Sequence, residues 1–322
     1  MSNREKIIKI IEQKGQQSIK QLAESLEISL SMVHRHIRRL IAEDKLQKIG
    51  FAPRVFYVLA ERKKKKLYEF SDVARKIVEQ NFLYISPRGE RLEGVKGFVL
   101  WCEKRGFNPV KKSGEYMKVN QKYKKLRKNG VISGKNKMIE TFGDQLCVKD
   151  VFYADFYAWE IFGKTKLGQL LLYAKQSQDK KMIKEVAQKA EPIIQKLLKA
   201  KKIGAVGFIP PTVKRQTQFM KVLQQSLNIA LPTIEIVKAR TDIVTPQKTL
   251  NKLEDRIENA DYTILVAERK KYKNVLLIDD AVGSGATLNQ VACKLKRLCV
   301  AQNIYGFALT GSAKGFDVIS EV

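Results

Sequence analysis

What this 322-residue chain lacks narrows it before any motif is read. No apolar run approaches the roughly 20 residues of a membrane-spanning helix. The opening residues, MSNREKIIKI, carry neither the apolar block nor the cleavage site of a secretion signal. No membrane partner is implied, and a cytoplasmic location is expected. Four cysteines, at 102, 147, 293 and 299, show none of the spacings of a metal site, and Cys293 and Cys299 would leave one helix on different faces. They are expected to be reduced thiols in or near cores. Acid is scarce, with 33 Asp and Glu against 61 Lys and Arg, a net charge of +28. The excess is +5 over 1–60, +12 over 61–150 and +11 over 151–322. Such a chain attracts polyanions, and that attraction weakens with salt.

The first sixty residues read as a helix-turn-helix with a wing. Ile7, Ile8, Ile10 and Ile11 give one apolar face, Gly15 ends that helix, and Ser18 with Gln21 makes a capping box for a short second helix ending near Glu27. In the third helix Leu30, Val33, Ile37, Leu40 and Ile41 fall on one side, which leaves Ser31, Arg35, Arg38 and Arg39 on the other. His34 and His36 flank the apolar side and are expected to pack at its edges. LQKIG and RVFYVL, joined by FAPR, form a hairpin carrying Lys48 and Arg54. The segment resembles the winged helix-turn-helix domains of bacterial and archaeal regulators. That resemblance implies duplex DNA as a partner, with Ser31, Arg35, Arg38, Arg39, Lys48 and Arg54 as its contacts.

Residues 61–150 open on a basic linker, ERKKKK, and continue as three helical stretches, over 69–83 and in GFVLWCEKRGF and YMKVNQKYKKLRKNG. They are expected to form a small basic connector. The carboxy-terminal part, 151–322, alternates strands near 203–209, 233–238, 261–267, 274–279 and 303–309 with helices, which predicts a doubly wound α/β sheet.

One stretch of that part carries chemistry: VLLIDDAVGSGATL, residues 275–288. It is not a Walker loop, because no lysine follows Gly285, and it lacks the third glycine of a dinucleotide fingerprint. An apolar run up to Ile278 reads as a buried strand, and Leu288, Val291, Ala292 and Leu295 repeat at helical spacing. A strand, a loop and a helix place the amides of Gly283, Ser284, Gly285, Ala286 and Thr287 at a positive helix terminus, a site for one phosphate monoester. Asp279 and Asp280 then suit a ribose diol and a cationic sugar carbon.

This arrangement resembles the signature of the type I phosphoribosyltransferases, with Ser284 at a position where that family usually has threonine. From about residue 160 the chain is similar to the ComF competence-associated branch, through LLLYAKQSQDKKMIKEVA, GFIPPTVKR, and the spaced Arg240, Gln247, Leu250, Arg256 and Asn259. The resemblance implies phosphoribosyl pyrophosphate (PRPP) with Mg2+, Asp279 and Asp280 on the ribose, the 283–287 loop on the 5-phosphate, and Arg215 and Arg240 toward the pyrophosphate. Arg215 is followed here by Gln-Thr-Gln where the branch continues Gly-Phe-Asn-Gln, and the cysteine pairs of a preceding zinc ribbon are missing. Together the two ends predict a DNA-binding transcription regulator that senses PRPP or a nucleoside monophosphate. The alternative is an active phosphoribosyltransferase with a nucleobase acceptor and an accessory winged helix. A homodimer is one assembly such a regulator could form.

Overall fold

The computed structural model describes residues 1–60, 67–211, 213, 215–239, 245, 249–250 and 252–312. The chain divides into two compact units, Met1–Tyr68 and Glu69–Val322.

In the first unit each helix begins on a side-chain cap. Ser2 and Glu5 form a capping box for α1 (Asn3–Lys14), Ser18 and Gln21 one for α2 (Ile19–Leu26), and Ser29 accepts from the Met32 amide to start α3 (Leu30–Ala42). Each such cap satisfies amides that a helix end leaves unpaired. Gly15, at φ 74°, turns the chain out of α1. Ile7, Ile11, Leu22, Val33, Ile37 and Leu40 close the core with Leu46 and Tyr57. Leu30 and Ile41, at the ends of the apolar face of α3, do not join it: they are 53% and 37% exposed. β1 (Leu46–Phe51) and β2 (Arg54–Leu59) pair antiparallel, from Leu46 opposite Leu59 to Phe51 opposite Arg54. The backbones of Gln17 and Tyr57 exchange two hydrogen bonds, 3.0 and 2.8 Å, fastening this wing to the α1–α2 connection.

The second unit takes in most of the segment read above as a connector. It runs through α4 (Asp72–Asn81), β3 (Leu83–Ile85), β4 (Arg91–Glu93), α5 (Gly94–Glu103), α6 (Pro109–Lys125), β5 (Arg127–Lys128), β6 (Val131–Ser133) and α7 (Lys135–Phe142). β7 (Asp150–Phe156), the short β8 (Ala158–Trp159) and β9 (Gly163–Lys164), α8 (Lys166–Ser177) and α9 (Lys180–Ala200) follow. Next come β10 (Ala205–Phe208), α10 (Phe219–Ser226), β11 (Thr233–Ile234), β12 (Ile236–Lys238) and α11 (Leu253–Thr263). The unit ends with β13 (Ile264–Val266), β14 (Tyr272–Val282), α12 (Ala286–Arg297) and β15 (Ala301–Gly311). Aromatic burial ties the expected connector in: Phe82, Phe98, Trp101 and Tyr116 interlock with one another and with Trp159 and Phe162, centroids 5.0–6.0 Å apart. β5 and β6 then extend the main sheet.

That sheet has seven strands in the order β11-β10-β14-β15-β7-β6-β5, the first five parallel and the last two antiparallel. Phe152, Ala154, Leu276, Ile278, Phe307 and Leu309 meet α8, α9 and α10 in one core. On the other face α12 lies so close to β15 that a Cβ at Gly306 would collide with Leu288. Two expectations change here. The run 233–238 breaks after β11, and β12 turns away to pair antiparallel with β13 in a separate two-stranded sheet, so neither 236–238 nor 264–266 belongs to the seven-stranded sheet. A short apolar run does not encode its pairing partner. The cysteines also differ from expectation: Cys147 and Cys293 are joined in a disulfide, Cα atoms 5.1 Å apart, because the loop after α7 folds back onto α12; Cys102 is free and buried, Cys299 free and exposed.

Candidate nucleic-acid interface and phosphate cleft

The outward side of α3 carries Ser31, Arg35, Arg38 and Arg39 together, lining one shallow surface depression with His34. All five are exposed, so His34 stands on the basic face and not at the edge of the core; His36 is the half-buried one. The periodicity that separates Val33 and Ile37 from Arg38 also puts position 34 beside Arg38, one turn away, and that signal identifies His34. Among the described residues none of Arg35, Arg38 and Arg39 has a carboxylate within ion-pair distance. The nearby acid is used elsewhere: Glu43 binds Arg4 at 2.9 Å and Lys45 at 2.7 Å. Lys48 and Arg54 are both exposed on the wing, but register sets them on opposite faces, Lys48 opposite Tyr57 and Arg54 opposite Phe51. The structure therefore gathers the four α3 residues and leaves the wing cations divided.

In the second unit the cleft forms where two parallel neighbours end. β10 and β14 pair from Ala205–Val275 to Phe208–Ile278, and the Ile209 amide donates to the Ile278 carbonyl at 2.9 Å. The chain leaves β10 toward β11 on one side and returns as β14 on the other, so the strand order reverses between them, where open α/β sheets bind ligands. Lys175, Pro210, Pro211, Arg215, Arg256, Asp279, Asp280 and the whole of 283–287 line a cavity of about 270 Å3 there. That lies just under the range of about 300–1,000 Å3 typical of pockets for drug-sized ligands, which suits a sugar phosphate.

β14 runs buried through Val275–Ile278 and then presents Asp279 and Asp280, both half-buried. Alternation aims them to opposite faces. Asp280 meets Lys175 of α8, Oδ2 to Nζ 3.0 Å. Asp279 Oδ1 accepts from the Asp280 amide at 2.7 Å. Loss of water, and then the neighbouring Asp280 charge, push the Asp279 carboxyl well above the ordinary carboxylate range, against the pull of that amide and of Lys175.

Gly285 is the N-cap of α12, with φ 82°, and a Cβ there would strike Met138 of α7 and approach Phe142. Both its backbone angle and its neighbours demand glycine. Having no side chain, it cannot cap the helix, and the first-turn amides beyond Ala286 remain for an outside anion. Ser284 is buried and its Oγ accepts from the Ala286 amide at 3.3 Å, so that amide is engaged and Ser284 serves the loop itself. At Gly283 nothing stands within 4 Å of where a side chain would be, so the backbone is open to a ligand.

The other wall is basic. The Arg215 guanidinium donates to the Lys175 carbonyl, and the Thr217 amide donates to Gln178 Oε1 at 2.8 Å, so the end of α8 holds Arg215 and Thr217. Arg256 is buried and donates through Nε to the Leu250 carbonyl at 2.7 Å. Arg240 and Gln247 lie outside the described residues. Lys175 is the residue that sequence reading missed: within an amphipathic helix a lysine looks the same whether it meets water or a carboxylate. No helix among the described residues is long and apolar enough to cross a membrane, and no cluster of three or more metal-binding side chains occurs among them.

Comparison with known proteins gives one family and a faint structural likeness. Residues 2–47 match the family described as winged helix-turn-helix DNA-binding. No curated protein matches the chain. Among solved structures, a hypoxanthine-guanine phosphoribosyltransferase of Bacillus anthracis is 14% identical, over 45% of this chain and 69% of that one, at a TM-score of 0.25. A second structure of the Bacillus anthracis enzyme gives 14%, 47%, 73% and 0.27, and a hypoxanthine phosphoribosyltransferase of Staphylococcus aureus 13%, 42%, 75% and 0.24. At such TM-scores the chemistry rests on the cleft alone. The amino-terminal unit is a winged helix-turn-helix domain, joined in one chain to an α/β unit built on a mostly parallel seven-stranded sheet.

Proposed function

We infer that the chain is a DNA-binding regulator whose second unit senses a 5-phosphorylated ribose, PRPP or a nucleoside monophosphate. The observation that carries this reading is the meeting of Asp279, Asp280 and the 283–287 loop with Lys175 and Arg215 around one cleft, in a chain that also presents Arg35, Arg38 and Arg39 exposed on α3. Acids and phosphate-binding amides side by side recognise the two ends of one ligand: the diol donates to carboxylates, and the phosphate accepts from amides. Lys175 and Arg215 would face the pyrophosphate. The donor set fits Mg2+ only as a partner of that ligand, since Mg2+ keeps waters and takes one or two carboxylates plus phosphate oxygens, and Asp279 and Asp280 are the carboxylates at hand. Arg35 and Arg38 would contact bases or phosphates of duplex DNA, with Ser31, His34 and Arg39 beside them.

The test joins two measurements on the intact protein. Calorimetry with PRPP and Mg2+ is expected to show saturable binding, and fluorescence anisotropy is expected to show binding to duplex DNA. Absence of the first removes the cleft reading; absence of the second at low salt removes the DNA reading. Release of pyrophosphate in the presence of a panel of nucleobases would replace sensing by catalysis.

A further inference from the structure

Between Glu115 and Glu140 the chain has eight lysines and arginines and not one acid. Most of them gather at the end of α6 and in the hairpin that follows. Lys118, Lys122, Lys124, Lys125, Arg127 and Lys128 are all exposed. Asn129 at φ 52° and Gly130 at φ 87° make the tight turn between β5 and β6, so Arg127 and Lys128 sit just before its tip.

Structure accounts for two of the six. Lys122 binds Glu160 at 2.7 Å and Arg127 binds Asp155 at 3.2 Å. A cation also favours the last turn of a helix, and charge on an edge strand discourages pairing with another chain. Lys122 already meets the first need and Arg127 the second. Lys118, Lys124, Lys125 and Lys128 have no carboxylate within ion-pair distance among the described residues, and their mutual repulsion is a cost that a polyanion removes.

We propose that the end of α6 and the β5–β6 hairpin form a second nucleic-acid contact, one that holds the phosphate backbone without reading sequence. Lysines on flexible stems, without a bidentate arginine fork or a shaped pocket, suit phosphates as point charges. The occupant is duplex DNA, because the same chain carries the α3 face. A second point of attachment on one tether raises the effective concentration of DNA at both.

The test uses the intact chain and random-sequence duplex, with affinity measured by anisotropy across a salt series. Lys124→Gln/Lys125→Gln/Lys128→Gln is the patch variant, and Arg35→Ala/Arg38→Ala the α3 variant. Lys180→Gln/Lys181→Gln/Lys184→Gln, on the exposed side of α9, removes equal charge elsewhere. The slope of log affinity against log salt should fall by about 0.9 for each phosphate no longer neutralised, so by up to about 2.7 in the patch variant, while the α9 variant keeps the wild-type slope. A patch variant with the wild-type slope, or an α9 variant that falls equally, overturns the proposal. Because it leans in part on the DNA reading of α3, the α3 variant separates the two. A fall there alone leaves the α3 reading standing without the patch, and a fall in the patch variant alone leaves the patch without α3.

Discussion

Asp280 answers to two partners. Its Oδ2 holds Lys175 at 3.0 Å, and the same carboxylate would accept from a ribose hydroxyl. Asp280→Asn should weaken PRPP by about 1–3 kcal/mol, the value of a charge-assisted hydrogen bond. The same change removes a negative charge that faces Lys175, so inorganic pyrophosphate should bind the variant at least as tightly as the wild type; calorimetry with both ligands checks the split. Asp279 supplies a pH signature. Its carboxyl is held above its ordinary value by burial and by Asp280, so the folded protein keeps a proton that the unfolded chain gives up. The penalty is absent below the unfolded value of about 3.9, grows as pH rises toward the raised folded value, and makes stability fall across that window. Asp279→Asn should therefore leave the melting temperature unchanged near pH ~3.5 and raise it progressively toward neutrality, read by circular dichroism melts over pH. The meeting of both acids with the 283–287 loop at one cleft is legible in the sequence, since an apolar run, a glycine-rich loop and a helical repeat in succession place them at one strand end. Lys175 is not, because nothing local to α8 says which neighbour its ammonium will meet.

Elements divide by how local their causes are. α1, α2 and the α12 junction are announced by adjacent residues, as in the Ser18–Gln21 box and the Gly285 cap, and the sequence reads them correctly. β7 straddles the boundary of the expected connector, where no strand is expected, and the antiparallel pairing of β12 with β13 depends on residues far apart in the chain, from Lys238 with Ile264 to Ile236 with Val266. The tie between α12 and the loop after α7 is more distant still. Asn289, buried in α12, accepts from the Cys147 amide at 2.8 Å and donates to the Gln145 carbonyl at 3.0 Å, and the disulfide follows one turn on, across a sequence separation of 146. Closing so long a loop stabilises a fold by typically about 2–4 kcal/mol. Cys293→Ser, or a reductant, should lower the melting temperature of the second unit, and thiol titration of the unfolded protein should count two free thiols before reduction and four after. Four at the outset would mean that the bond does not form. Because Asn289 grips the same loop without sulfur, the fold should survive the loss.

At the scale of the whole chain, the cleft lined by Asp279, Asp280 and the 283–287 loop and the basic face of α3 belong to separate compact units, and the proposed regulatory function requires that one inform the other. PRPP is expected to change the affinity for the operator by roughly 5–150-fold, the usual range of coupling of about 1–3 kcal/mol, and DNA must change the affinity for PRPP by the same factor. Titrating operator with and without PRPP checks both. Asp280→Asn distinguishes sensing from competition of PRPP with DNA for a chain of net charge +28, since simple competition shifts both proteins alike. The position of β14 makes that experiment readable at single peptides. Val275 to Ile278 are fully buried and paired on one side with β10 and on the other with β15, so their amides should exchange with deuterium only when the unit opens globally. Five residues later the chain is in the 283–287 loop, which lines the cleft. A bound sugar phosphate should slow exchange across 283–288 by direct contact, and slow 275–278 by the factor 1 + L/Kd, with L the free ligand concentration, through which it holds the unit against global opening, so that one proteolytic fragment reports both the contact and its affinity.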